Sequence, residues 1–237
     1  PGASDYVLKD ISFKAEKGET IAFIGSTGSG KSTIVSLIMR SYDVTEGAIR
    51  IDGVDVRDYT LKALHGKIGY VPQKANLFSG TIASNVAYGD RTSKSLEEEV
   101  RKAVAVAQST DFVENMEGGY DAAIAQGGTN VSGGQKQRLS IARAVFRRPE
   151  IYIFDDSFSA LDYRTDRMLR SALKKETADV TSVIVAQRVG TIMDADKIVV
   201  LDNGFIAGIG RHQDLLETCP VYKEIVYSQL SEEEVCR

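Results

Sequence analysis

The residues with the clearest chemical meaning form a glycine-rich run that ends in a lysine and a serine. Gly25-Ser-Thr-Gly-Ser-Gly-Lys31-Ser32 matches the phosphate-binding pattern G-x-x-x-x-G-K-[ST]. Glycines let the backbone approach phosphate oxygens closely, and loop N–H groups beside a helix N-terminus favour an anion. Lys31 is expected to reach the β- and γ-phosphates, and the Ser32 hydroxyl to ligate Mg²⁺. The run therefore predicts a nucleoside triphosphate site, built from Gly25, Ser26, Thr27, Gly28, Ser29, Gly30, Lys31, Ser32 and Thr33.

A second run, Ile151-Tyr-Ile-Phe-Asp155-Asp156, is an apolar segment that ends in two acidic residues. A carboxylate at the end of such a strand can hold Mg²⁺, directly or through water, beside a phosphate loop. The alternative is an ordinary strand-end aspartate that caps a turn, and the accompanying phosphate loop disfavours it. We therefore expect Asp155 and Ser32 at one metal site, with Asp156 beside it.

Apolar periodicity and turn residues predict the elements that must position these side chains. The phosphate loop follows a buried strand and precedes a helix over Thr33–Arg40. Asp202-Asn-Gly204 separates the last two strands and is a strong hairpin signal. The predicted strands are Ile21–Ile24, Ala48–Ile51, Ile68–Val71, Ile151–Phe154, Val183–Ala186, Lys197–Leu201 and Phe205–Ile209.

Between Gln73 and Pro149 the strand signal vanishes and helices dominate. A capping-box pattern at Ser95 opens one helix, a second starts near Thr110, and a third follows Ser132. This block, residues 73–148, is a candidate helical subdomain inserted into an α/β core made of residues 1–72 and 149–237.

Composition narrows the class of protein. The chain has 237 residues, 26% of them charged, with a net charge of −4, which argues against a general nucleic-acid binder with a basic face. Four arginines do cluster along one predicted helix, and a solvated helix face is the preferred interpretation of Arg138, Arg143, Arg147 and Arg148. Cys219 and Cys236 lack metal-ligand spacing and indicate free thiols in a reducing compartment. No apolar run approaches the ~18–20 residues that cross a bilayer.

Longer motifs now point to a family. Asn130-Val-Ser-Gly-Gly-Gln-Lys-Gln-Arg-Leu-Ser-Ile-Ala-Arg-Ala144 resembles the signature motif and helix of ATP-binding cassette (ABC) proteins. Tyr70-Val-Pro-Gln73 resembles the Q-loop, and Ser159-Ala-Leu-Asp162 resembles the D-loop. The runs from Leu77 to Val86 and from Thr191 to Asp196 resemble the exporter branch of multidrug and peptide half-transporters. The resemblance spans essentially the whole chain.

The resemblance implies a P-loop NTPase core, with a mixed sheet and flanking helices, plus the inserted helical signature subdomain and a small β-subdomain. It implies an ATPase that uses ATP and Mg²⁺ and couples ATP-driven dimerisation to export. Gln73 would serve both the metal and the catalytic centre. The N-terminus of the signature helix can bind an anion; in the family it faces the γ-phosphate on a second, head-to-tail cassette, a role that falls here to Ser132, Gly133, Gly134 and Gln135.

The same resemblance implies a membrane partner and a location. The cassette would work with the transmembrane domain of an exporter, absent from this chain, at the cytoplasmic face of a bacterial cell membrane, without nucleic acid. Leu77 and Phe78 would line the groove for the coupling helix of that domain, with core packing as the alternative. The aromatic that stacks on adenine is expected before Pro1, and Tyr6 is the nearest substitute.

Departures from the family pattern concern hydrolysis. Asp156 stands where the catalytic glutamate is usual, Gln187 where the switch histidine is usual, and Gln126-Gly127-Gly128 replaces a Glu-Arg-Gly. A shorter acid sets the base back, and a glutamine cannot carry an imidazolium charge. These changes beside an intact signature resemble one subunit of a heterodimeric exporter with one degenerate site. Harmless drift with full hydrolysis, a homodimeric exporter with two equal sites and a soluble ABC ATPase are the alternatives.

Overall fold

The computed structural model describes residues 6–89 and 96–231. The strands are β1 (Thr20–Gly25), β2 (Arg50–Ile51), β3 (Val54–Asp55), β4 (Ile68–Val71), β5 (Gly80–Thr81), β6 (Ala123–Ile124), β7 (Ile151–Asp155), β8 (Thr181–Val185), β9 (Lys197–Asp202) and β10 (Phe205–Gly210). The helices are α1 (Lys31–Ile38), α2 (Leu61–Lys67), α3 (Ile82–Val86), α4 (Leu96–Val106), α5 (Thr110–Glu114), α6 (Gly133–Phe146), α7 (Tyr163–Glu176), α8 (Val189–Ile192), α9 (His212–Thr218) and α10 (Pro220–Tyr227).

A six-stranded sheet in the order β10-β9-β1-β8-β7-β4 forms the centre of the fold. Its pairs are parallel except for the β9–β10 hairpin. The apolar run of β1 is buried on both faces, as expected for a parallel strand covered on both sides by helices. Since β1, β7 and β8 run in one direction, their carboxyl ends, Gly25, Asp155 and Val185, meet at one edge of the sheet. Ligands of open α/β sheets bind at this edge.

The predicted mixed α/β fold is confirmed, and the predicted strands of the large sheet are correct to within two residues at either end. The hairpin signal is also confirmed: Asn203 and Gly204 have φ of 47° and 83°, as a two-residue turn with two left-handed positions requires. The strand predicted over Ala48–Ile51 is shorter. Only Arg50–Ile51 pairs, and it pairs with Val54–Asp55 in a separate hairpin.

The block between β4 and β7 is helical, with α6 beginning after Ser132 and α5 at Thr110, as predicted. The predicted loss of all strand signal there is wrong, since β5 and β6 form a short antiparallel pair. At two residues each, these strands are too short for any alternation of apolar residues to be visible. The predicted cap at Ser95 lies outside the described residues.

The arginines of α6 do not form one solvated face, which corrects the prediction. Arg143 is largely buried and donates to the carbonyls of Asn85 and Asn76, at 2.8 and 3.1 Å. Arg138 donates to the Gln108 carbonyl and packs on the Phe112 ring. The physical reason is that loop carbonyls beside α6 need donors, and the guanidinium fork supplies several at once.

The two arginines at the end of that helix, Arg147 and Arg148, are exposed as predicted. Cys219 is a buried free thiol, and Cys236 lies outside the described residues. Across residues 6–89 and 96–231, no helix combines the length and apolar character needed to span a bilayer.

Candidate active site

A cleft of about 300 Å³ opens at the carboxyl edge of the large sheet. It brings together most of the residues that the sequence predicts to act on ATP. Its walls come from the phosphate loop after β1, the end of β7 and the loop after β8. The lining residues are Val7, Thr27, Gly28, Gly30, Lys31, Ser32, Thr33, Gln73, Asp155, Asp156, Val185 and Gln187.

The phosphate loop presents backbone and a cation to this cleft. Gly28 has φ of 83°, and a Cβ there would meet nothing within 4 Å, so the loop faces open space at this point. Helix α1 begins at Lys31, directly after the loop, and Lys31, Ser32 and Thr33 of its first turn line the cleft. The Lys31 ammonium donates to the carbonyls of Gly25 and Ser26, both at 2.8 Å. Burial lowers the pKa of Lys31, while the charges of Asp156 and Asp155 oppose that shift.

Ser32 and Asp155 both line the cleft, as the predicted metal pair requires. Burial raises the pKa of the Asp155 carboxyl, although the Tyr70 hydroxyl donates to its Oδ2 at 3.3 Å and works in the opposite direction. Burial, followed by the charge of Asp155, raises the pKa of Tyr70 to about 12. A hydroxyl and a half-buried carboxylate are hard oxygen donors of the kind that Mg²⁺ prefers, so the residues present fit that ion.

Asp156 is the centre of a polar cluster. Its Oδ2 accepts one hydrogen bond from Gln73 Nε2 at 3.0 Å and another from Gln187 Nε2 at 2.9 Å. The residue is 8% exposed. Its φ of 46° lies in the left-handed region, which few residues other than glycine, asparagine and aspartate adopt. Its N–H donates to the Val185 carbonyl at 2.8 Å, which fixes the turn that directs the side chain into the cleft. The structure thus brings together the predicted hydrolytic residues.

The signature residues lie elsewhere. Ser132 caps α6: its Oγ accepts from Gln135 N at 3.2 Å, while its own N–H donates to Gln135 Oε1 at 2.8 Å. Gly133 is exposed, and a Cβ there would meet nothing within 4 Å, whereas Gly134 packs against the Ala160 carbonyl of the D-loop. None of the described residues that line the cleft belongs to this motif. The helix start is therefore open to a ligand from outside this chain.

Several residues that support the site were not predicted. Tyr70 contacts Asp155, Ser159 Oγ donates to the Asp156 carbonyl at 2.8 Å, and Gln137 Nε2 donates to the Pro72 carbonyl at 2.9 Å, beside the Q-loop. Ser159 and Tyr70 stand inside recognised motifs, which is the signal that could have indicated them. Gln229 bonds to the loop after β8 from far along the chain, and no sequence pattern indicates it.

The expected docking pair separates into a core residue and a surface residue. Leu77 is 1% exposed and packs in the core, so for this side chain the alternative of core packing is correct. Phe78 is 41% exposed and stacks on Tyr88 at 4.5 Å between ring centroids. The Arg143 guanidinium lies over both rings, at 5.3 and 5.6 Å.

The expected substitute for an adenine-stacking aromatic, Tyr6, is half exposed and donates its hydroxyl to Glu46 Oε1 at 2.8 Å. It does not line the cleft, whereas its neighbour Val7 does. The departure at Gln126-Gly127-Gly128 forms a short turn in which Gly127 has φ of 68°.

Comparisons with known proteins agree with this geometry. The model of the ABC transporter family matches residues 8–159. An uncharacterized ABC transporter ATP-binding protein of Mycobacterium tuberculosis is 51% identical over 97% of this chain and 39% of its own length. The ATP-dependent lipid A-core flippase of Escherichia coli is 43% identical over 95% of this chain and 38% of its own length.

A solved structure of a bacterial Atm1-family ABC exporter with ATP bound superposes with a TM-score of 0.92 at 39% identity. The match covers 98% of this chain and 41% of that one, so the chain spans about two fifths of the proteins that it resembles. These matches agree with the phosphate loop and the signature helix that the structure shows. The chain therefore belongs to the ABC transporter family, as an ABC-type ATPase domain.

Proposed function

We propose that this chain is the ATP-binding and ATP-hydrolysing cassette of an ABC exporter, and that it couples ATP-driven dimerisation to export of a solute or peptide. The observation that carries the proposal is that Lys31, Ser32 and Asp155 line the same cleft as the Gln73–Asp156–Gln187 cluster. A phosphate cradle, a metal pair and a carboxylate with two amide partners are the parts that phosphoryl transfer to water needs. The similarity to an exporter and to a flippase supports export rather than another task.

In this proposal the loop from Gly25 to Thr33 holds the triphosphate. Lys31 leaves the carbonyls that it now contacts and turns to the β- and γ-phosphates. Ser32, Asp155 and the side-chain amide oxygen of Gln73 would hold Mg²⁺, and the ion would supply positive charge to the phosphates. Tyr70 keeps the Asp155 carboxylate turned toward the metal side through its hydroxyl contact.

A second cassette completes the site. Ser132 and Gly133 are exposed at the N-terminus of α6, and a Cβ on Gly133 would meet nothing within 4 Å. Gly134 and Gln135 follow in the same first turn. A γ-phosphate bound to another cassette suits that place, because free N–H groups and the helix dipole favour an anion. The proposed assembly is therefore a head-to-tail dimer that holds two ATP molecules.

The hydrolytic side of this chain is proposed to be weak. Asp156 and Gln187 replace the longer acid and the ionisable ring usual in the family, and both amide neighbours of Asp156 converge on one oxygen. A heterodimer accounts for the fact that Asp156 and Gln187 depart from the family pattern while the signature motif does not. In such a dimer the partner carries the competent hydrolytic residues and uses the signature motif of this chain. A homodimer with two equal sites is the competing assembly.

The exposed Phe78–Tyr88 pair is the proposed contact with a transmembrane domain. The rings are stacked with the Arg143 guanidinium over them, and Phe78 lies shortly after Gln73, which donates to Asp156. A movement of Gln73 at the cleft would therefore shift the Phe78–Tyr88 pair at this surface. The helical block of residues 73–148 would move as the unit between the two, at the cytoplasmic face of a bacterial cell membrane.

Three measurements test this proposal. Titration of the chain with Mg-ATP should give saturable binding, and sedimentation with ATP should reveal a dimer that the Ser132→Arg variant does not form. The complete gene product should sediment with membranes. A product that stays in the supernatant, and that binds ATP normally, would favour the soluble ABC ATPase over the exporter.

A further inference from the structure

Gln229 holds the loop that carries Gln187. Its Nε2 donates to the Gln187 carbonyl at 2.8 Å, and its Oε1 accepts from the Val189 N–H at 2.9 Å. One planar amide therefore bonds to the backbone on both sides of Arg188. These contacts join parts of the chain that lie 42 and 40 positions apart in the sequence.

The position of Gln229 is itself fixed by the core. Its N–H donates to the Val226 carbonyl at 3.0 Å, at the end of α10. Val226 and Tyr222 of that helix are fully buried, in the same apolar cluster as Val189. The helix and the loop after β8 therefore share one rigid support, and the Gln229 side chain connects their polar backbone atoms.

The connection continues to the hydrolytic cluster. Gln187 is held at its carbonyl by Gln229 and at its side chain by Asp156 Oδ2, at 2.9 Å. A side chain reaches a fixed partner only if its own backbone is in place. Loss of the carbonyl contact would leave the Gln187 amide free to move away from both Asp156 and the cleft.

We propose that Gln229 is a positioning residue, which fixes the backbone around Gln187 so that the Gln187 amide reaches Asp156. The proposal rests on the proposed function, in which this cleft hydrolyses ATP. The chemistry suits a glutamine: the Gln187 carbonyl requires a donor, the Val189 N–H requires an acceptor, and the Gln229 amide supplies one with its nitrogen and the other with its oxygen. A glutamate keeps the acceptor and sets a charged oxygen against the Gln187 carbonyl.

The test uses the full chain with Gln229→Ala, Gln229→Glu and a control, Ser228→Ala. Ser228 is the neighbouring exposed residue, and its hydroxyl donates only to the Ile225 carbonyl of its own helix, at 2.7 Å. The first readout is the rate of hydrogen exchange of the Val189 N–H and of the Gln187 side-chain amide, which NMR measures on the chain without nucleotide. We expect exchange of both to accelerate by about tenfold or more in Gln229→Ala, and to stay unchanged in Ser228→Ala.

The second readout is steady-state ATP turnover in the wild-type and Gln187→Ala backgrounds. Gln229→Ala should lower kcat to within about twofold of Gln187→Ala, leave the KM for ATP unchanged, and add nothing when Gln187 is already alanine. Unchanged amide exchange, or an additive loss in the double variant, would overturn the positioning role. A wild-type chain that neither binds Mg-ATP nor turns it over would instead refute the proposed function, and the exchange measurement would still decide whether Gln229 fixes Gln187.

Discussion

Replacing Asp156 by asparagine tests whether this carboxylate is a working general base. Asparagine has the same shape and is among the residues that best tolerate the φ of 46° found here. Its Oδ1 can accept the two amide hydrogen bonds that now reach Asp156 Oδ2 from Gln73 and Gln187. The substitution therefore removes the charge and the proton acceptor while the surrounding contacts persist.

The structure sets the expected size of the effect. A well-placed general base is worth ~10²–10⁴ in rate. Oδ2 of Asp156 is occupied by two donors, and a hydrogen bond to a charged group is worth about 1.5–3 kcal/mol, or roughly one to two powers of ten. The shorter side chain adds a displacement of the kind that costs up to ~10²-fold. Together these leave Asp156 a contribution of about tenfold or less, so Asp156→Asn should reduce turnover by no more than that.

The assay compares ATP turnover of two variants in the same preparation of paired cassettes. Ser132→Arg should nearly abolish turnover, because it blocks the open helix start that would face the partner's γ-phosphate. Ser171→Arg, the same change at an exposed serine in the middle of α7, serves as the control and should leave turnover unchanged. If Asp156→Asn and Ser132→Arg both eliminated turnover, Asp156 would be a working base and the weak-site interpretation would be refuted.

Three further outcomes are expected. Lys31→Ala should weaken Mg-ATP binding by at least about tenfold in a calorimetric titration, because a charge-assisted phosphate contact is worth about 1.5–3 kcal/mol, and the exposed Lys62→Ala should bind normally. Asn85→Ala should lower the free energy of unfolding in urea by about 2–4 kcal/mol, since it orphans buried partners, and an unchanged midpoint would contradict that account. The Arg57 side chain, then its N–H, lowers the pKa of Asp55 to about 2, so this contact stabilises the fold above the unfolded pKa and is lost as pH falls through about 2. Asp55→Asn should therefore lower the melting temperature at about pH 7 and leave it unchanged at about pH 2, where Asp55 itself is protonated. An equal loss at both pH values would refute the linkage.

The elements that position the site could be predicted because their signals are local. The strands β1 and β7 are short apolar runs bounded by polar residues, and the phosphate loop sits between a strand and a helix. Asn203 and Gly204 identify their turn because few residues accept two left-handed positions in succession. Each of these features is encoded within a few residues of the chain.

The parts that could not be predicted depend on contacts between distant residues. Tyr70 meets Asp155 across 85 positions, and Arg143 meets Asn85 across 58. A tyrosine or an arginine in a sequence does not say which carboxylate or carbonyl it will meet. The prediction that Arg143 is solvated failed for this reason, since the loop carbonyls that surround it lie in other elements.

The Asp156–Gln187 contact differs in kind from a contact that a histidine would make. A histidine changes its charge between about pH 5 and 8, so protonation could tighten or release its hold on a neighbouring carboxylate. The Gln187 amide has no such titration, and its hydrogen bond to Asp156 is held in addition by Gln229 at the backbone. Release of Gln187 from Asp156 would therefore need a competing acceptor. A γ-phosphate held by the phosphate loop of the same cleft would be such an acceptor. The Asp156–Gln187 contact is therefore expected to respond to a nucleotide phosphate rather than to protonation of residue 187.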